Sequence, residues 1–201
     1  TTFNAHGVNL NMGGNLINNG IYTHGSNTGT FAGGANQSIS GASSTAFYNL
    51  VKNGSATLTT ERAASVANYL YLAAGTLADG GNTLTVNGNA VIEGTHVYGN
   101  GGLGIHMTGS TLAQNLSGHG TLGMLTVENA KGVYVPIGNP LTITNRLRLN
   151  SGVFNIDKNL LTLGTNCSID GNAFSVSNMI QTNTSFTDNG VKKFFPAGAS
   201  G

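Results

Sequence analysis

Apolar residues alternate with polar ones over short stretches of this chain, and each stretch ends at a turn. Leu70-Tyr71-Leu72, Leu84-Thr85-Val86, Leu141-Thr142-Ile143, Leu147-Arg148-Leu149 and Leu161-Thr162-Leu163 all read apolar, polar, apolar. A period of two marks a strand with one buried side. Between such stretches stand Asn53-Gly54, Asn87-Gly88 and Asn100-Gly101, residue types that accept the left-handed backbone of sharp corners. Only residues 63–72 resemble a helix. Their counterpart one repeat later begins at Pro140, so a strand is predicted for both.

That 77-residue repeat needs no gap. Gln37, Ser40 and Gly41 match Gln114, Ser117 and Gly118, and Asn68, Leu70 and Leu72 match Asn145, Leu147 and Leu149. Gly75 matches Gly152, Asn82 and Leu84 match Asn159 and Leu161, and Asn89, Ile92 and Gly94 match Asn166, Ile169 and Gly171. Unlike pairs keep their character, as in Phe47/Met124, Leu50/Val127 and Leu77/Phe154. A partial third copy opens the chain, where Gly14-Asn15-Leu16-Ile17 resembles Gly88-Asn89-Ala90-Val91. Self-similarity on this scale is a mark of stacked-repeat architectures.

Two all-β folds accommodate such strands. Asn-Gly turns favour hairpins, hence an antiparallel sandwich. Strong apolar positions at Phe31, Leu50, Leu70 and Ile92, about 20 residues apart, favour a parallel β-solenoid in which each coil stacks on the last. The solenoid is the expectation: a right-handed β-helix of about ten coils, about 45–50 Å long at a rung spacing of ~4.8 Å. Residues 1–175 would form it, as a partial copy (8–28) and two repeats (29–105 and 106–175). Residues 176–201 read as a transition segment toward a missing C-terminal part.

Composition supports this choice. The 201 residues include 31 Gly, 27 Asn, only 8 Lys plus Arg and 7 Asp plus Glu, with net charge +1. So few cations exclude a nucleic-acid-binding surface. In a solenoid each residue sits ~4.8 Å from its counterpart in the next coil, where like charges repel and Asn, Thr and Ser can form hydrogen-bonded ladders. Hydrophobic residues make up 39%, enough for a core and too many for a disordered chain. No apolar run approaches the ~18 residues of a membrane span. No signal peptide is visible, and the opening at Thr1 reads as that of a processed or trimmed product.

Little in the sequence points to chemistry. Glu93, Asp170 and Asn19 each precede a Gly in a repeated slot, which reads as a turn role, and Asp157-Lys158 reads as a corner pair. No carboxylate pair for glycoside hydrolysis can be assembled. His6, His24, His96, His106 and His119 neither repeat nor show metal-ligand spacing, and read as surface or loop residues. Cys167 falls on Ala90, so it reads as a small buried filler. As the lone cysteine it forms no internal disulfide. Gly101-Gly102-Leu103-Gly104 approaches a calcium-binding nonapeptide but lacks its Asp. The Thr-x-Thr pairs do not recur once per coil, which argues against an ice-binding ladder. Catalytic, cofactor and metal sites are therefore not expected.

The outward strand positions are more informative. Tyr69 and Tyr71 flank Leu70, and their counterparts are Arg146 and Arg148. With four coils per repeat, the two pairs are expected roughly 19 Å apart on one face. Aromatic and Arg side chains suit contacts with sugars or proteins, so these four form the candidate ligand-contact face. Surface drift between repeats is the plain alternative.

The run Gln37-Ser38-Ile39-Ser40-Gly41, then Phe47-Tyr48-Asn49-Leu50, Leu70-Tyr71-Leu72-Ala73-Ala74-Gly75-Thr76-Leu77 and Asn82-Thr83-Leu84-Thr85-Val86, resembles a repeat of large secreted surface proteins of Bacteroidota. In the second copy, over residues 114–163, Met124 replaces Phe47, and Thr126-Val127 replaces Asn49-Leu50. The tail, from Met179-Ile180-Gln181 to Phe194-Phe195-Pro196-Ala197-Gly198, is similar to the segment that leads into a β-sandwich in those proteins. The resemblance implies the N-terminal part of a longer, adhesin-like polypeptide, exported by type 9 secretion and located outside the cell or on its surface. It implies a non-enzymatic structural or adhesive role, with surface glycans or proteins and the secretion machinery as partners, and carries over no catalytic residues. Family roles also include gliding motility, so cargo or a subunit of a secretion or gliding assembly at the outer membrane is one alternative. A β-helix polysaccharide-active enzyme is another.

Overall fold

The structure, a computed structural model, describes residues 1–183 and 186–198; residues 184, 185 and 199–201, all in the expected transition segment, lie outside it. It is an all-β parallel solenoid with three faces. Face 1 stacks Leu10–Met12, Thr28–Phe31, the second halves of Thr45–Lys52 and Ala64–Leu72, Asn89–Ile92, Gln114–Ser117, Val133–Tyr134, Phe154–Asp157 and Ile180–Thr182. Face 2 climbs from Leu16–Ile17 to Val191–Lys193. Face 3 climbs from Thr2–Asn4 to Ser168–Gly171. Among the described residues nine strands stack on face 1, making about nine coils where about ten were expected, a rod about 40 Å long. Residues past 175 still belong to the stack, since Ile180–Thr182 and Val191–Lys193 pair with the eighth coil.

The alternation of the sequence becomes an inside and an outside. Leu50, Leu70, Ala90 and Leu116 stack down the inner side of face 1. Val66, Val86, Met107, Val127 and Leu149 do the same on face 3. All are buried in one continuous core, each large side chain contributing about 1.5–3 kcal/mol. Residues 64–72 are a strand, as predicted, bending at the corner so that Val66 packs on face 3 and Leu70 on face 1.

The sequence repeat does not return to the same face. Gln37 lies on face 2 and Gln114 on face 1; Leu70 lies on face 1 and Leu147 on face 3. The repeat holds eleven strand-and-turn units, seven residues each on average, and eleven is not a multiple of three. Local surroundings are nonetheless preserved. Gln37 Nε2 donates to the Met12 and Gly14 carbonyls, and its Oε1 accepts from Gly33 N at 3.0 Å. Gln114 Nε2 donates to the Val86 and Gly88 carbonyls, and its Oε1 accepts from Gly109 N at 2.8 Å. Gly41 and Gly118 both take positive φ, +113° and +104°, against a carbonyl or amide of the coil below. The same corner motif therefore serves at different corners of the rod.

Late in the second copy the match slips by two residues. Leu70 pairs with Ala90, but Leu147 pairs with Ile169, not Cys167. The turn at residues 164–167 is two residues longer than Asn87-Gly88. Cys167 sits in that turn, its N–H bonded to the Gly164 carbonyl at 3.0 Å, and remains buried. Met124 also departs from its partner. Phe47 packs inside, whereas Met124 stands level with the outward Arg146 and is buried against Gly104.

Candidate functional site

The asparagines explain how successive coils are fastened. Oδ1 of Asn9, Asn15, Asn19, Asn36 and Asn89 accepts the backbone N–H of Thr28, Ser38, Ala42, Thr57 and Asn115, each one coil up. Glu93 does the same for His119 N at 3.2 Å. The turn role expected for Asn19 and Glu93 is thus a rung-to-rung bond. Asp170 instead lies within the strand Ser168–Gly171, on the outer side of face 3.

The expected Tyr and Arg pairs do not share a face. Tyr69 and Tyr71 are half-buried on face 1, their ring centroids 6.1 Å apart. Arg146 and Arg148 lie on face 3, because the repeat spans eleven units rather than twelve. Arg148 Nε donates to Asp170 Oδ1 at 2.9 Å and Arg146 Nε stands 3.5 Å from Oδ2. The Arg148 hydrogen bond holds the Asp170 carboxyl below the usual carboxylate range. One rung away, His106 Nε2 and Asn150 Nδ2 meet Glu128 Oε2 at 3.0 and 2.9 Å. The amide contact and then the imidazole keep Glu128 low as well. Face 3 is thus a charged face with its charges matched.

Face 1 carries the candidate site. In register along its outer side stand Thr28, Asn49, Tyr69, Asn89, Asn115, Tyr134, Asn155 and Gln181. Eight successive coils contribute an uncharged hydrogen-bonding side chain to this column. Sequence reasoning found only Tyr69 in it, because the coil length varies. Leu50, Leu70 and Ala90 follow one another at even spacing, but the steps from Ala90 to Leu116 and from Asn155 to Gln181 are longer. The extra residues form the loops 108–113 and 172–179, both at the corner between faces 3 and 1. Between these loops lies a cleft of about 220 Å³ bordered by Ala113, Lys131, Tyr134, Asn155 and Gln181. On the other side of loop 108–113 a second cleft of about 210 Å³ is bordered by Asn89 and Gln114, and shares Ala113.

Tyr134 is fixed within this surface. Its hydroxyl donates to Asp157 Oδ2 at 2.7 Å, and Asn183 Nδ2 donates to Oδ1 at 2.7 Å. The Tyr134–Asp157 bond raises the Tyr134 pKa, and that bond first and the Asn183 bond second lower that of Asp157. Asp157 therefore holds the ring in place, beyond the corner role read from Asp157-Lys158.

Two further residues missed by sequence reasoning, His96 and Lys52, are buried. His96, read as a surface or loop residue, replaces an apolar residue between Leu77 and Leu122 in the core. Its Nε2 lies 3.1 Å from Asp79 Oδ2, while Asp79 Oδ1 accepts from Gly81 N at 2.9 Å and Gly99 N at 2.7 Å. Burial would raise the Asp79 pKa, but the bonds from His96, Gly81 and Gly99 outweigh it and hold the carboxyl low. His96 Nδ1 is buried without a partner. Lys52, level with Phe31 and Leu72 on the inner side, donates to the Gly54 carbonyl at 2.6 Å, and burial lowers its pKa. Among the described residues no cluster of three His, Cys, Asp or Glu is placed to hold a metal ion, and no helix is long and apolar enough to cross a membrane. No family model, curated protein or solved structure matches the chain.

Proposed function

We propose that this chain is a non-enzymatic rod from a secreted or cell-surface protein, acting in adhesion. The observation that supports the reading is the state of four of its seven acids. A polysaccharide-cleaving solenoid needs two carboxylates free to serve as acid and base or nucleophile. Here Asp79, Glu128, Asp157 and Asp170 are each engaged by an imidazole, an amide, a phenol or a guanidinium. The outer column of face 1, by contrast, is uncharged from Thr28 to Gln181. The resemblance to Bacteroidota surface repeats adds export by type 9 secretion and an extracellular location to the proposal. The test couples two assays on the purified chain. Beads coated with it should adhere to cells or to immobilised polysaccharide more than beads coated with an unrelated β-protein. Incubation with soluble polysaccharides should release no new reducing ends. Reducing ends above the background of a heat-denatured sample would overturn the proposal.

A further inference from the structure

We infer that the groove on face 1 between loops 108–113 and 172–179 binds a neutral, linear glycan, with Tyr134 as its stacking platform. The inference rests on the adhesive reading and adds to it a place and a ligand class. Three observations converge. The floor of the cleft is made by Tyr134, Asn155 and Gln181, three successive rungs ~4.8 Å apart. Sugars pair apolar C–H faces with hydroxyl edges, and an aromatic ring beside amide groups matches both. The Tyr134 hydroxyl is tied to Asp157, which fixes the ring plane before a ligand arrives, so little rotamer freedom remains to be lost on binding. Asn155 Oδ1 is committed to the Asp157 N–H at 2.9 Å, leaving its Nδ2 as a donor without a partner among the described residues.

The charge pattern selects a neutral ligand. Asp157, the acid nearest the platform, is already held by Tyr134 and Asn183. Among the described residues Lys131 is the one cation bordering the cleft, too little for a polyanion, which is recognised by several cations at once. The groove is also directional. The column continues through Asn115 and Asn89 past Ala113 into the second cleft, so a chain laid along the rod axis would meet an amide or a ring at every rung. Face 3 has no such surface, its Arg146 and Arg148 being turned to Asp170.

The test is calorimetric titration of the full chain with a panel of hexasaccharides. Neutral members are β-linked glucose, xylose, mannose and N-acetylglucosamine; charged members are polyuronate and sulfated oligosaccharides. At least one neutral member should bind. Tyr134→Ala, Asn155→Ala and Gln181→Ala should each weaken it about tenfold. Tyr134→Phe, which keeps the ring, should weaken it about threefold or less, and Arg146→Ala on face 3 should leave it unchanged. Circular dichroism checks the fold of each variant, and Asn155→Ala and Gln181→Ala stand in if Tyr134→Ala unfolds. Binding only to charged members overturns the inference, as does neutral binding that survives all three alanine variants. If no member binds while coated beads still adhere, the groove assignment falls and the adhesive reading stands. If the beads also fail to adhere, both fall.

Discussion

The buried His96–Asp79 pair offers a test of what holds two neighbouring coils together. Asp79 is ionised at neutral pH, because its hydrogen bonds outweigh the burial that opposes ionisation. In the second copy the corresponding inner positions are apolar: Asp79 matches Ile156 in sequence, and the rung Leu77–His96 matches Phe154–Ile180 in the stack. Asp79→Ile would strand three donors, His96 Nε2, Gly81 N and Gly99 N, at about 1–3 kcal/mol each. The new isoleucine returns about 1.5–3 kcal/mol. The expected net loss is about 3–5 kcal/mol, the range for breaking a buried pair by removing one partner. His96→Ile removes one hydrogen bond to Asp79, which keeps its two backbone donors, and also removes the unpartnered Nδ1. Its expected cost is about 1–2 kcal/mol. The double variant should be no less stable than Asp79→Ile, giving a coupling of about 2 kcal/mol. Urea unfolding followed by far-ultraviolet circular dichroism measures all four corners of the cycle. Additive losses within about 0.5 kcal/mol would show that the two groups do not interact and that the reasoning is wrong.

Other outcomes follow from the same geometry. Leu84→Asp places an unpaired charge in the core between Ala64 and Ile105, and should cost several kcal/mol, read as loss of the cooperative transition at about 25 °C. Tyr71→Ala should shift the urea midpoint little, since Tyr71 is on the outer side; a large loss would mean the side assignment is inverted. Gly88→Ala drives a Cβ into the Asn68 carbonyl and should cost about 1–3 kcal/mol by the same assay. The pKa values of Asp79, Glu128, Asp157 and Asp170 are lowered by folding. Their contributions are therefore complete above the unfolded carboxylate range, about pH 4, and lost as pH falls through the folded values. The melting temperature should hold above about pH 5 and fall below about pH 4; a fall between about pH 8 and 6 instead would contradict that assignment.

The solenoid was legible because its inner positions are spaced by physics that acts locally. Leu70, Leu84 and Leu147 alternate with polar neighbours, and a period of two has one structural meaning. The phase of the repeat was not legible, since a unit of this length fits four coils as well as eleven sides of a triangle, and only pairing partners decide. Hence Tyr71 and Arg148 were expected on one face and stand on two. The candidate groove escaped for a related reason, since its floor of Tyr134, Asn155 and Gln181 is assembled across rungs of unequal length. His96 was misread because a single imidazole between Thr95 and Val97 carries no sign of burial in the sequence. Its partner Asp79 is close only because consecutive rungs stack.

A duplicated unit that ends one side short of a whole number of turns has a geometric consequence. Each further copy would present its surface residues rotated by about a third of a circle from those of the copy before, returning to the starting side only after three. A long array built this way would wind its markings around itself like the stripe on a barber's pole. Removing a single seven-residue side, rather than a whole turn, would then redirect everything downstream without breaking the interior.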